Sequence, residues 1–189
     1  MKIFFTASQR GKKQFGEAYK KIRSYIQDHK YILLDDDIFT EEPTQLYKAL
    51  ESGNHEVQVD FYHKKINTIK EADICIFEVS THSLSVGFVI QKALEFNKPI
   101  IILYMKGYVP HFFTGVENDK MILKEYEGGS LEKKLQEALK EALDLREKRF
   151  NFFISPNLLA YLESASKHEG ITKSLFIRNL ILAHKKKHV

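Results

Sequence analysis

Cysteine is almost missing from this chain, and the scarcity excludes several classes of protein. The 189 residues include one cysteine, Cys75, so no intrachain disulfide can form and no cysteine cluster can bind zinc. Long hydrophobic runs are missing too: they extend over a few residues, as in 99–105, which is too short for a membrane-spanning helix. The first ten residues have too short an apolar run for a secretory signal. We therefore expect a protein of the reducing cytoplasm that does not bind membranes.

Patterns that bind metal ions are also missing. The eight histidines show no spacing typical of metal ligands. Three consecutive acids, Asp35, Asp36 and Asp37, point in different directions along the chain and so do not form a common ligand set. The sequence therefore predicts no metal site and no cofactor.

The charge that is present is unevenly distributed. The net charge is +4, yet residues 1–147 contain 21 basic and 23 acidic side chains, whereas residues 148–189 contain 8 basic and 2 acidic ones. A basic segment of this kind favours an acidic partner, with nucleic acid as the first candidate. The alternative is a solvated basic tail, because Lys185, Lys186 and Lys187 supply half of the excess.

The first 147 residues alternate between strand-like and helix-like patterns. Their strands are continuous apolar runs, which indicates strands buried on both faces of a parallel sheet. The predicted fold class is therefore α/β, a three-layer sandwich of the Rossmann-like type. Strands are predicted at 2–7, 31–34, 74–77, 99–104 and 121–126, and the main helices at 13–29, 57–71, 86–96 and 131–145. Because ligands bind beyond the carboxyl ends of such strands, the important loops are 8–11, 35–39 and 79–87.

The last 42 residues have a different pattern. Alternating apolar residues at 150–154 predict a strand, Ser155 and Pro156 begin a helix, and Thr172 caps a second one. A segment of this size cannot bury enough apolar surface to fold alone, and its single strand has an unpaired edge. Pairing of two copies removes both problems, so we expect a domain boundary at 147/148 and a homodimer formed through 148–189.

This β-α-α tail resembles the ribbon-helix-helix family of DNA-binding dimers, through RFNFFIS (149–155) and GITKSLFIRNLI (170–181). The resemblance implies that paired strands enter the major groove of double-stranded DNA, with Arg149, Asn151 and Phe153 facing the bases. It also implies that Thr172 and Lys173 contact a phosphate at the start of the second helix. Phe153 is apolar at a position where a polar side chain is expected, which leaves a purely dimerising tail as the alternative.

The main domain resembles the nucleoside 2-deoxyribosyltransferase superfamily, and most of all the 2'-deoxynucleoside 5'-monophosphate N-hydrolases. The segments that carry this resemblance are MKIFFTASQRG (1–11), EADICIFEVS (71–80) and HSLSVGFVIQKALEFNKPIIILY (82–104). Such enzymes cleave the bond between deoxyribose and base through a covalent glycosyl-enzyme. The resemblance implies phosphate-binding roles for Ser8, Arg10, Gly11, Ser83 and Gly87, and catalytic roles for Asp73 and Tyr19. Arg10 as a surface residue, Ser8 and Ser83 as turn residues, Asp73 as a brace of its strand and Tyr19 as a core residue are the alternatives.

The catalytic nucleophile of the family does not carry over to this chain. The family has a glutamate two residues after the glycine at the helix start, and Val89 stands there. Between Glu78 and Glu95 the sequence has no other carboxylate. We therefore expect a catalytically degenerate nucleotide-binding domain joined to a DNA-binding dimer module, a ligand-responsive regulator. The alternative is an active transferase or N-glycosidase that uses an unusual acid such as Glu78, with a tail that serves only for oligomerisation.

Overall fold

The computed structural model describes residues 1–40, 48, 51–53, 55–145 and 152–188. The chain divides into two compact units, Met1–Glu147 and Lys148–Val189, and each is described by itself. No helix in the described part of the chain is long and apolar enough to cross a membrane.

A five-stranded parallel sheet forms the centre of the first unit. Its strands are β1 (Lys2–Ala7), β2 (Ile32–Leu33), β3 (Ile74–Glu78), β4 (Ile100–Met105) and β5 (Met121–Tyr126). Their order across the sheet is β2-β1-β3-β4-β5, and every neighbouring pair is parallel. The predicted α/β fold with a parallel sheet is confirmed.

Helices cover both faces of this sheet because side chains along each strand alternate between two apolar clusters. The helices whose bounds lie within the described part of this unit are α1 (Lys12–Asp28), α2 (Asp37–Thr40), α3 (His55–Glu71), α4 (Leu84–Glu95), α5 (His111–Thr114) and α6 (Leu131–Leu145). Ile3 and Phe5 belong to the cluster with α1 and α6, whereas Phe4 belongs to the cluster with α3 and α4. A short 3₁₀ turn at Gln9–Gly11 follows β1.

The second unit contains two helices, α7 (Pro156–His168) and α8 (Lys173–His188). Both have the predicted caps: the backbone N–H of Leu158 donates to Ser155 Oγ at 3.4 Å, and that of Leu175 donates to Thr172 Oγ1 at 3.2 Å. Gly170, at φ +67°, adopts the left-handed conformation that ends α7.

The described residues allow a test of only the end of the predicted strand of the tail. Residues 152–154 have no strand conformation, and the base-facing candidates Arg149 and Asn151 lie outside the described residues. Phe153 is described and fully exposed. A strand requires a hydrogen-bonded neighbour, and a ribbon takes that neighbour from a second copy. The ribbon therefore stays a prediction about the dimer.

Candidate functional site

A cavity of about 120 Å³ lies at the carboxyl end of β1, between α2, α3 and the start of α4. This is the edge of a parallel sheet where ligands bind. The described residues that line the cavity are Phe4, Thr6, Ala7, Gln9, Asp37, Ile38, Phe61, Lys65, Ser83, Ser85, Val86 and Val89. Half of these twelve residues are apolar, and polar side chains are placed at the two ends of the cavity.

The first turns of α4 form one of these ends. Ser83 is the N-cap residue, with its Oγ accepting a hydrogen bond from the backbone N–H of Val86 at 3.4 Å. Val89 lies on the same helix, six residues after Ser83, and lines the same cavity. The position that the resemblance assigns to the nucleophile therefore faces the cavity, and the group there is an isopropyl side chain.

An ion-paired cluster forms the other end of the cavity. Lys65 Nζ, on α3, lies 2.9 Å from Asp37 Oδ2 and also forms a salt bridge with Asp35. Lys64 Nζ lies 3.1 Å from Asp37 Oδ1 at the exposed side. Burial acts to raise the pKa of Asp37, but the hydrogen bonds and charges of Lys65 and Lys64 outweigh it, and the pKa is lowered. Asp37 is therefore ionised at neutral pH.

Gln9 lies beside this cluster, directly after β1. Its Nε2 donates to the backbone carbonyl of Asp37 at 3.3 Å. Its Oε1 is buried and accepts no hydrogen bond from the part of the chain that the structure describes. A buried acceptor that has neither water nor a protein donor lowers the stability of the folded protein, so a ligand that donates to this atom would be favoured.

The five predicted phosphate-binding residues do not share one cavity. Ser83 lines the main cavity and, together with Gly87, a neighbouring one of about 90 Å³. Arg10 is exposed and lines an open cavity of about 610 Å³. The cavity that contains Gly87 and the cavity that contains Arg10 share Thr81 and His82 as lining residues. Ser83, Gly87 and Arg10 therefore lie along one edge of the unit.

Ser8 and Gly11 are buried below that edge. A Cβ on Gly11 would lie 2.4 Å from Tyr19 Oη and 2.5 Å from Thr81 Oγ1, so close packing alone requires glycine there. Ser8 offers its backbone carbonyl to the Gly11 N–H at 3.0 Å. The structure gives both residues a role in the turn after β1.

The two predicted catalytic residues lie away from the main cavity. Tyr19 is buried in the core, where burial and the nearby Glu78 carboxyl raise the pKa of its phenol. Asp73 precedes β3, and its Oδ2 accepts a hydrogen bond from the backbone N–H of Lys2 at 2.8 Å. This contact braces the amino ends of β1 and β3, whereas the cavity lies at the carboxyl end of β1.

Glu78, the acid considered as a substitute nucleophile, is fully buried at the end of β3. Its Oε1 accepts hydrogen bonds from Tyr126 Oη at 2.9 Å and from Ser80. Burial raises the pKa of this carboxyl, and Glu78 does not line the main cavity. A buried, hydrogen-bonded carboxyl cannot reach a sugar bound there.

Metal binding has no structural support within the described ranges, which contain no group of three or more His, Cys, Asp or Glu side chains placed to hold an ion. Asp35 and Asp37 have Lys65 as their cation.

The amino-acid sequence did not indicate that Gln9, Asp37 and Lys65 belong to one site. A signal existed for Lys65, because it stands four residues before the buried Ile69 and therefore on the inner side of α3. The signal for Gln9 was its place in the loop 8–11, which was predicted to lie at the ligand-binding edge, but the sequence does not indicate its contact with residue 37.

Comparisons with known proteins identify relatives of this chain. No family model matches the chain. A relative from Syntrophotalea carbinolica is 31% identical over 107 residues, 57% of this chain and 70% of the relative. One from Nematostella vectensis is 31% identical over 131 residues, 66% of this chain and 84% of the relative. Both bear the provisional name 2'-deoxynucleoside 5'-phosphate N-hydrolase 1.

A search of solved structures found the CMP N-glycosidase BcmB of Clostridium botulinum, which is 19% identical in sequence to this chain, with a TM-score of 0.46. The match covers 74% of this chain and 98% of that one.

The parallel sheet, the cleft at its carboxyl edge and these relatives define a protein of the deoxyribosyltransferase-like superfamily. Within that class, the chain belongs to the 2'-deoxynucleoside 5'-phosphate N-hydrolase family.

Proposed function

We propose that the first unit binds a 2'-deoxynucleoside 5'-monophosphate, or a closely related small molecule, without cleaving it. We further propose that the C-terminal unit pairs two chains and binds double-stranded DNA, so that the protein acts as a ligand-responsive regulator. The observation that carries the first part is Val89 on the wall of the cavity.

The chemistry explains why this one side chain matters. In the retaining route, a carboxylate oxygen attacks C1' of the sugar, the bond to the base breaks, the base leaves and water later releases the sugar from the enzyme. Valine has no lone pair with which to begin. Among the described residues that line the cavity, Asp37 is the one carboxylate, and Lys64 and Lys65 hold its oxygens. Binding can persist, because the apolar walls and the capped start of α4 do not depend on the nucleophile.

The test is to titrate the full chain with deoxynucleoside monophosphates by isothermal calorimetry, and to search the same mixtures for free base by chromatography. We expect heat of binding without release of base. Absence of binding for every nucleotide would refute the sensing role. Base release that disappears in Asp37→Asn or Glu78→Gln would refute the proposed inactivity and establish the alternative, an active N-glycosidase.

The second part of the proposal is supported by charge and by exposed apolar surface. Residues 148–189 have a net excess of six basic side chains. Within this unit few apolar side chains are buried, Leu162 and Phe176 among them, whereas α7 and α8 expose Leu158, Tyr161, Leu180 and Ile181. Two small helices with such a surface favour association with a second copy.

DNA binding is tested by mobility shift on random duplex DNA at increasing salt. Phosphate contacts release counterions, so the affinity should fall linearly on logarithmic axes. Replacing Lys185, Lys186 and Lys187 by glutamine should reduce the slope, whereas replacing the exposed Lys133 and Lys140 of α6 should not. A tail that dimerises but binds no DNA would limit its role to assembly.

A further inference from the structure

The acidic end of the cavity has an excess of hydrogen-bond acceptors. Lys64 and Lys65 are the cations there: Lys64 contacts Asp37 from the exposed side, and the Lys65 ammonium group is engaged by Asp35 and Asp37. The ring of Phe61 lies 5.6 Å from Lys65 Nζ. The Lys65 ammonium group thus donates to groups of the protein. The Asp37 carboxylate retains lone pairs that can accept further hydrogen bonds.

Gln9 adds a second acceptor at the same end. The orientation of its amide is determined by its neighbour, because the backbone carbonyl of Asp37 can only accept, so Nε2 must face it. This leaves Oε1 as the buried atom without a donor. Gln9 lines the cavity, and the described residues hold its amide by one hydrogen bond of 3.3 Å, so presenting Oε1 to a ligand requires a rotation about the last torsion that this bond resists only weakly.

The remaining wall suits a flat ring. Phe4, Phe61, Ile38 and Val86 line the cavity between the acidic end and α4, and apolar walls with a few placed polar groups are typical of sites for aromatic ligands. A ring held there would turn one edge towards Gln9 and Asp37. That edge must carry hydrogen-bond donors, since both protein groups accept.

We infer that the cavity selects nucleobases with an exocyclic amino group, and that Gln9 Oε1, supported by the Asp37 carboxylate, is the specificity-determining acceptor. This inference rests on the proposed binding of a deoxynucleotide. A base with a carbonyl oxygen in place of the amine leaves Oε1 without a donor and places a second acceptor against it, which is the arrangement that polar sites reject most strongly.

The experiment compares pairs of nucleotides that differ in this group and in the protonation of the adjacent ring nitrogen, which accepts in the amino member and donates in the oxo member: dCMP with dUMP, and dAMP with dIMP. Calorimetry on the full-length protein should show at least tenfold tighter binding of the amino member in at least one pair. Equal binding in both pairs, or a preference for the oxo member, overturns the inference and leaves nucleotide binding intact. Failure of all four nucleotides to bind refutes the proposed function itself.

Variants then assign the preference to Gln9. Gln9→Met has a similar length and no acceptor of comparable strength, so the preference for the amino member should disappear, with weaker binding of the amino member and no loss of affinity for the oxo member. Gln9→Glu keeps an acceptor and should keep the order of preference. Gln136→Met, on the exposed face of α6, is the matched control. If Gln9→Met weakens both members equally, Gln9 has a merely structural role and the inference is wrong.

Discussion

The pKa of the Glu78 carboxyl depends strongly on its buried surroundings. The carboxyl is fully shielded from water, and Tyr126 and Ser80 donate to its Oε1 while Oε2 accepts no hydrogen bond from the described residues. Ser80 Oγ in turn accepts from the backbone N–H of Met105 at 2.7 Å. Glu78 therefore ties the ends of β3 and β4 together and favours its protonated form.

This environment predicts a pH-dependent effect of Glu78→Gln. Burial raises the pKa of Glu78 in the folded protein above its ordinary value of 4.5, so the unfolded chain ionises first and the wild type loses stability as pH rises from 4.5 towards the folded pKa. Glutamine does not ionise. The melting temperature of Glu78→Gln relative to wild type should therefore increase between pH 5 and pH 8.

The size of this change follows from the linkage. A tenfold difference in proton affinity between the two states is worth about 1.4 kcal/mol, and 1 kcal/mol moves the melting temperature of a protein of this size by about 2–4 °C. Calorimetric scans of both proteins at several pH values provide the measurement. Parallel curves for the two proteins would show that Glu78 has the same pKa folded and unfolded.

Individual site residues were only partly predictable from the sequence. The absence of a carboxylate at Val89 is visible in the sequence, and the structure places this residue at the cavity. Asp73 and Tyr19 were assigned by resemblance, and they lie at the opposite sheet edge and in the core. The position of Asp73 before its strand and of Tyr19 on the apolar stripe of α1 is readable from the sequence, and it agrees with the alternatives of a brace and a core residue.

The ion-paired cluster of Lys65, Asp35 and Asp37 joins α3 to α2 and to the turn that precedes α2. Lys65 lies on α3, whereas Asp35 and Asp37 lie at the start of α2, and Asp35 Oδ1 also accepts from the backbone N–H of Asp37 at 2.9 Å. The two lysines of this helix differ in burial: the side chain of Lys65 is 15% exposed and that of Lys64 is 62% exposed. This difference makes them a natural pair for mutation.

Lys65→Met should destabilise the protein by about 3 kcal/mol, because it leaves the buried Asp35 carboxylate without its cation. Lys64→Met should cost less than about 1 kcal/mol, because exposed ion pairs contribute little. Urea unfolding at neutral pH measures both values. Similar losses for the two variants would contradict the assignment of Lys65 as the structural partner of Asp35.

At the scale of elements, prediction succeeded for segments long enough to show an apolar pattern. The residue ranges of β1, β5 and α6 coincide with the predicted segments 2–7, 121–126 and 131–145. The helices α2 and α5, four residues each, were not predicted. Helices this short lack a repeating hydrophobic pattern, and their formation depends on tertiary contacts.

At the scale of the whole molecule, we expect the tail to determine assembly. If a second copy covers the exposed apolar side chains of α8, the double variant Leu180→Glu and Ile181→Glu should shift the protein from dimer to monomer. Sedimentation velocity at micromolar concentration measures this change. Leu143→Glu, which changes an exposed leucine of α6, should leave the sedimentation unchanged. A wild-type protein that sediments as a monomer would refute pairing through the tail.

By itself, the amino-acid sequence determined the α/β class, the parallel sheet and the missing carboxylate, because periodic apolar patterns and the identity of a residue are local properties of the chain. Only the tertiary structure decided which polar groups meet at the cavity. Gln9, Asp37 and Lys65 come from three separate segments, and their contacts arise when α2 and α3 pack beside the end of β1. Which donors remain free and which acceptors stay unpaired depends on that packing, since hydrogen bonds and ion pairs act over a few ångströms in space and not along the chain.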